Sequence, residues 1–399
     1  MKLRRLTNRK NSTTFSTVMT MYIVSTILTL AHIWATNTND LERLFPVVFN
    51  QRLSKHMFGK LPVEFDDIEG DSDRLWLWKR LYPSKPSDRP LAARVVVHAR
   101  MRTGSSLMGQ YFSEHPDFAY LYEPGLLVKK LYKMNEYNDS ASYLAPMQLP
   151  LVQSIIDFFN CTFEGDVLSL LTRNIWLRSQ MNIKDLMTTD NFTTHCVSKR
   201  HRVVKTIRLS DIAFIVRTKE FIDGKVKIVH LVRDPRATLS ARERFQHWNY
   251  RTRWGTVIKQ NIEKFEKYAT YYCQWLQTNL RSAQNIPRRL RKNFVIVRYE
   301  DLADRPRDIV PKLYDFVGLD LHQRVRSMID GQKDKLGNGL AWRRNMPFNR
   351  TSIVQDVCND DLFRFYGYVK VDNAEQLVNG NFKLLSTKPL VPSGINFIL

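Results

Sequence analysis

Two stretches decide how this chain folds. Arg94-Val95-Val96-Val97-His98 runs into Arg102-Thr103-Gly104-Ser105-Ser106, and Val226 to Val232 runs into Arg233-Asp234-Pro235-Arg236. Each is a short apolar run, read as a buried strand, followed by a turn and the start of a helix. A strand, a tight turn and a helix make an anion cradle. The turn's N–H groups point inward, and the helix N-terminus adds about half a positive charge. Gly104 lets the backbone approach the anion, while Ser105 and Ser106 offer hydroxyls and can cap the helix. Arg102 supplies a planar fork of donors suited to phosphate or sulfate.

The rival for the first loop is a nucleotide-triphosphate P-loop. Gly104 and Gly109 have the spacing, but Gln110 and Tyr111 stand where that motif needs Lys and Ser or Thr. Neither residue can serve terminal phosphates or Mg²⁺. The loop therefore suits a phosphate-like anion handled without a metal.

Outward from these loops the pattern continues. Strands are expected at Arg94–His98, Phe118–Tyr122, Arg202–Thr206, Lys227–Val232 and Phe294–Tyr299, with helices between them at Ser105–Phe112, Leu151–Phe159 and Val257–Arg281. Strands separated by helices predict an α/β fold with a mostly parallel sheet flanked by helices on both faces. Ligands in such folds bind beyond the carboxyl ends of the strands. Both anion loops and Glu123, which follows the second strand, fall there.

The N-terminus predicts the compartment. Lys2, Arg4, Arg5, Arg9 and Lys10 precede Phe15 to Trp34, a stretch without Asp, Glu, Lys or Arg. At helical rise that length matches a bilayer core of about 30 Å. Basic residues before it and Asp40 and Glu42 after it predict a cytosolic tail (1–14), a transmembrane signal-anchor (15–34) and a luminal remainder. A cleaved signal peptide is the alternative. Residues 35–90 read as a stem ending in Pro83, Pro86 and Pro90, 91–370 as the catalytic domain, and 371–399 as an extension without an assigned role.

Four sequons follow the span, at Asn138, Asn160, Asn191 and Asn349, as a secretory route requires. All four cysteines lie beyond it and none has CxxC spacing, so an oxidising lumen favours two disulfides over zinc. Three pairings exist; Cys161–Cys196 and Cys273–Cys358, neighbours in sequence, are preferred. The net charge is +22. Nucleic acid is the usual partner of such an excess. A luminal address argues against it and favours an anionic nucleotide donor or an anionic polysaccharide.

These motifs together resemble the Golgi carbohydrate sulfotransferases. Arg102 to Ser106 is similar to that family's 5′-phosphosulfate loop, and Leu231 to Ala237 to its 3′-phosphate element. Tyr122-Glu123-Pro124, Val297-Arg298-Tyr299-Glu300-Asp301-Leu302 and the late set Trp342-Arg343, Pro347-Phe348, Val354-Gln355, Cys358 and Gly367-Tyr368 also match its pattern. The resemblance runs from Arg94 to Val369 and is strongest to the branch that sulfates carbon 6 of GlcNAc, Gal or GalNAc.

The resemblance implies a sulfotransferase fold and 3′-phosphoadenosine 5′-phosphosulfate as donor, used without a metal. It implies a glycan or proteoglycan acceptor, including an anionic one, and a single-pass type II Golgi membrane protein. The donor would be held by Arg102, Thr103, Gly104, Ser105, Ser106 and Leu107 at the phosphosulfate and by Arg233 at the 3′-phosphate. Trp342 and Arg343 would form a late donor element. Arg102 would also stabilise charge on the leaving phosphate. Glu123 is the candidate general base, with a pKa expected to be raised; a helix cap or an arginine partner is its alternative role. The family places a Ser eight residues after its 3′-phosphate Arg. Here that position is Ala241, and Ser240 precedes it. Either Ser240 reaches the phosphate or the contact is lost. Ala241 leaves open a catalytically weak, membrane-anchored glycan-binding protein. A luminal glycosyltransferase is disfavoured, because the Asp71-Ser72-Asp73 motif lies in the stem.

Overall fold

Val95, Val96 and Val97 are wholly buried because their strand lies inside a sheet covered on both faces. The computed structural model describes residues 92–399 apart from 135–139, 163–169, 182, 184–187, 245–261, 333–338, 388 and 391–393. The tail, the span and the stem lie outside the described residues. Among the described residues no helix is long and apolar enough to cross a membrane.

In chain order the main elements begin with β1 (Arg94–His98), α1 (Ser105–Ser113), β2 (Phe118–Tyr122), α2 (Pro124–Leu131), α3 (Gln148–Asn160), α4 (Ile175–Gln180) and α5 (Thr189–Ser198). They continue with β3 (His201–Thr206), β4 (Val226–Val232), α6 (Pro235–Glu243), α7 (Ile262–Gln284), β5 (Phe294–Arg298), α8 (Tyr299–Asp304), α9 (Pro306–Val317), α10 (Phe348–Val357) and β6 (Asn396–Ile398). The sheet order is β2-β3-β1-β4-β5-β6, and every pairing is parallel. From β1 the chain moves outward to β2; from β4 it moves the other way to β5. Right-handed crossovers put the connecting helices of these two halves on opposite faces. A crevice therefore opens at the carboxyl ends of the adjacent strands β1 and β4. Both anion loops leave the sheet there.

Two histidines sit below that crevice. His98 and His230 are register partners, with Nδ1 atoms 2.9 Å apart, and His98 Nε2 donates to the Leu209 carbonyl at 3.0 Å. Burial drives His98 down to about 3 and His230 well below the ordinary range, so both are neutral members of the core. His115, another candidate base by type, lies before β2, at the amino end of the strand whose carboxyl end leads to Glu123.

Cys161–Cys196 joins the end of α3 to α5, with Cα atoms 5.7 Å apart, and Cys273–Cys358 joins α7 to the residue after α10, with Cα atoms 5.3 Å apart. Residues 371–399, without a role in the sequence reading, extend the sheet through β6 and pair Ser386 N–H with the Gly367 carbonyl at 2.8 Å. Asn160, Asn191 and Asn349 are exposed, and Asn138 lies outside the described residues.

Candidate active site

The first loop is a turn closed on itself. Thr103 is buried, and both its hydroxyl (2.7 Å) and its N–H (3.3 Å) donate to the Arg100 carbonyl. Thr103 thus shapes the loop from inside and does not face a donor. Gly104 has φ +90° and begins α1. A Cβ there would lie 2.1 Å from Cδ2 of Tyr299. Only glycine satisfies both the left-handed backbone and the ring packed on it. The serines do not cap α1: no side chain caps it, and the Ser106 hydroxyl lies 3.2 Å from the Tyr122 hydroxyl. The first-turn N–H groups, Ser105 to Leu107, are left by helix geometry for a ligand. Gly109 is not a second loop glycine. It lies within α1, where a Cβ would meet the Tyr120 hydroxyl at 2.2 Å.

The second loop reaches the first through Arg233. Its Nη1 donates to the Arg102 carbonyl at 2.9 Å, and its guanidinium lies 4.4 Å from the centre of the Tyr299 ring. Tyr299 is therefore packed between Gly104 and Arg233. Arg233 Nε is buried and has no hydrogen-bond partner among the described residues, an orphan donor on the second loop. Asp234 is the helix cap and arginine partner that its type suggests. It accepts from Arg236 N–H at 2.9 Å and pairs both oxygens with the Arg236 guanidinium, at 3.0 and 2.7 Å. Burial, then the nearby Arg233 charge, pulls the Arg102 pKa down, and Arg244 adds to the effect. Arginines that raise one another's energy are stabilised by an anion between them.

A third residue of α6, Arg242, reaches the first loop. Ser240 and Ala241 are buried, and Arg242 donates from Nε to the Met101 carbonyl at 3.2 Å. One step along a helix turns the side chain by about 100°, so Ser240, Ala241 and Arg242 point in three different directions. Arg242 and Arg244 were not expected from the sequence. Tyr299 was expected only as a strand end; it opens α8 and forms the wall between the loops.

Trp342 and Arg343 have a different place from the expected one. Trp342 is buried against the Arg236 guanidinium, at 5.1 Å. Arg343 donates to the carbonyls of Leu377 (2.7 Å), Gln376 (3.0 Å), Asn379 (2.5 Å) and Phe382 (3.1 Å). Its charge ties the C-terminal segment to the domain. Arg298 does similar work, pairing with Asp301 and donating to the carbonyls of Tyr366, Gly367 and Ser386.

Glu123 follows β2 in a left-handed conformation, φ +49°. Its N–H donates to the Lys205 carbonyl at 2.9 Å, which continues the sheet by one residue. Its carboxylate bridges Lys205, through Oε1, and Arg208, through Oε2 at 2.6 Å. Burial pushes the Glu123 pKa up, but the two cations outweigh it and hold it at about 2. The expected raised value is thus reversed: a lone carboxylate near a donor would be hard to ionise, and this one has two positive partners. Lys205 is buried and lies 3.8 Å from the centre of the Tyr122 ring.

A buried carboxylate of opposite character lies behind the second loop. Glu300 Oε1 accepts from the Asp234 N–H at 3.0 Å, and Oε2 accepts from the Tyr368 hydroxyl at 3.3 Å. Burial, then the Asp234 charge, raises its pKa to about 7. The folded protein keeps a proton that the unfolded chain releases near the ordinary carboxylate value, so stability falls as pH rises from about 4.5 to about 7. Glu300→Gln, which keeps the shape without the charge, should remove that slope. It should be more stable than the unsubstituted protein above neutrality, by up to about 3 kcal/mol, and equal to it near pH 4.5. Thermal unfolding of both across this range checks the expectation; parallel curves would refute it.

The sulfotransferase domain model matches residues 93–335. Carbohydrate sulfotransferase 3 of Tetronarce californica is 25% identical over 341 residues, covering 74% of this chain and 76% of that protein. Carbohydrate sulfotransferase 5 of Mus musculus is 28% identical over 346 residues, with 74% and 86% covered. Carbohydrate sulfotransferase 6 of Homo sapiens is 27% identical over 371 residues, with 81% and 91% covered. Among solved structures, the sulfotransferase domain from the Synechococcus PCC 7002 olefin synthase gives a TM-score of 0.37 at 14% identity, covering 69% of this chain and 98% of that one. With the family model spanning β1 to β5 and both anion loops, the chain belongs to the sulfotransferase family, within its carbohydrate sulfotransferase group.

Proposed function

We propose that this enzyme transfers a sulfuryl group from 3′-phosphoadenosine 5′-phosphosulfate to the carbon-6 hydroxyl of GlcNAc, Gal or GalNAc in a glycan or proteoglycan. The supporting observation is the junction of the two anion loops, where Arg233 bonds to the Arg102 carbonyl across the Tyr299 ring. Two anionic ends of one donor fit two loops joined in this way. The N–H groups at the start of α1, with Arg102, would hold the phosphosulfate; Arg233, with its orphan Nε, would hold the 3′-phosphate.

The acceptor oxygen attacks sulfur in line, the bond from sulfur to the 5′-phosphate oxygen breaks, and the bisphosphate leaves with the electron pair. Arg102 and the α1 N–H groups stabilise the charge it gains. A sulfuryl group carries less charge than a phosphoryl group, so arginines and N–H groups can serve without a metal. The acceptor proton passes to Glu123. With a pKa of about 2, Glu123 is a weak base. It suffices where the proton is released late, after the new bond to sulfur has made the hydroxyl acidic.

Basic residues before the 15–34 span, exposed Asn160, Asn191 and Asn349, and two disulfides support a type II protein with its domain in the Golgi lumen. The test is sulfate transfer by the full-length chain in detergent from labelled donor to GlcNAc-, Gal- and GalNAc-terminated oligosaccharides, with chelator present. No transfer to any of them would refute the proposal. Arg233→Ala should weaken binding of the 3′,5′-bisphosphate by roughly 10- to 150-fold, the value of one charge-assisted contact of about 1.5–3 kcal/mol. Isothermal titration measures it, and unchanged affinity would remove Arg233 from the donor site.

A further inference from the structure

Trp176 lies in α4 and is 40% exposed, beside Ile175 at 71%. Exposure of one apolar residue means little by itself. Its neighbours give it meaning. The Trp176 ring meets Tyr122 edge-on, with centroids 5.7 Å apart. Tyr122 in turn places its hydroxyl 3.2 Å from Ser106 in the phosphosulfate loop, and its ring against Lys205, the partner of Glu123. One aromatic side chain therefore separates Trp176 from the donor loop and from the carboxylate assembly.

The helix that carries the ring is also anchored. Asn174 caps α4, its side chain accepting from Leu177 N–H at 3.2 Å, and Leu177 and Arg178 are buried beneath. A half-exposed indole on an anchored helix at the edge of a polar site fits a ligand with one apolar face and a polar rim. A pyranose ring has that form, with axial C–H bonds on one face and hydroxyls around it. Indole supplies a large flat surface at low entropic cost.

We infer that Trp176 is the stacking platform for the acceptor sugar, placing its ring beside Tyr122 so that the hydroxyl reaches the space between the donor loop and Glu123. This inference rests on the proposed glycan sulfation. It predicts that Trp176→Ala raises the acceptor KM by about tenfold, the upper end of one aromatic contact. It should change kcat little and leave bisphosphate affinity unaltered, while Trp176→Phe recovers most of the loss. The experiment compares full-length unsubstituted, Trp176→Ala and Trp176→Phe proteins on the best oligosaccharide of the panel, with bisphosphate titration of each. If the unsubstituted protein sulfates the oligosaccharide and Trp176→Ala has an unchanged KM, the platform is refuted and the sulfation reading stands. A parallel loss of bisphosphate affinity would also refute it, because the residue would then act on the donor loop. If the unsubstituted protein sulfates none of the panel, both fail.

Discussion

Glu123→Gln is expected to lower turnover by about a hundredfold or more and, at the same time, to lower stability by about 3–5 kcal/mol. The first effect follows from removing the group that takes the acceptor proton. The second follows from the pairing with Lys205 and Arg208, since Lys205 is buried and would keep an uncompensated charge. A single substitution therefore cannot separate base from structural partner. Adding Lys205→Met does so, because it removes the stranded ammonium and leaves an apolar chain against Tyr122. The double variant should regain most of the lost stability and none of the lost turnover, measured by thermal unfolding and single-turnover transfer. Recovery of both would make Glu123 structural only.

The same pair fixes a pH dependence. The folded pKa of Glu123, about 2, lies below the ordinary value. Its stabilising contribution is complete above about pH 4.5 and is lost as pH falls through about 2. Lys205→Met alone weakens the hold on the carboxylate, so the acidic limb of kcat/KM should move to higher pH.

Much of this was legible in the chain, for reasons that differ by residue. The strands were legible because buried parallel strands are apolar on both faces, and Val95 to Val97 and Val226 to Val232 have no other reading. Their observed limits differ from the expected ones by a residue at β3, β4 and β5. The position of Glu123 followed from the end of β2, but its charge state did not. That depends on Lys205, the register partner of Tyr122 across the β2–β3 pair, and on Arg208 in the next loop. Lys205 and Arg208 stand at and just beyond the end of β3, with nothing in the local sequence to mark Glu123 as their partner. Arg343 misled for the same reason. A guanidinium after a tryptophan suits a phosphate, yet four carbonyls from residues 376–382 use it. Sequence reading finds groups that carry charge; only the fold shows which charges are already matched.

Gly104→Ala is expected to have the largest effect on donor binding. The residue sits at φ +90°, where a side chain costs about 1–2 kcal/mol, and its Cβ would lie 2.1 Å from the Tyr299 ring. The ring has to leave its place. Arg233 lies 4.4 Å from the centre of that ring, so a substitution in the 5′ loop also displaces the 3′-phosphate arginine. Both anionic ends lose their partners together. Affinity for the 3′,5′-bisphosphate should fall by more than Arg233→Ala alone produces, by about a hundredfold or more. Adding Tyr299→Ala distinguishes a general loss of fold from a local loss of the site. It opens room for the new methyl group and should recover part of the thermal stability. It cannot restore the surface under Arg233 or relieve the backbone strain, so affinity should stay low. Near-normal bisphosphate affinity in Gly104→Ala would mean that the ring, the glycine and the arginine are not one unit, and that the two loops bind independently.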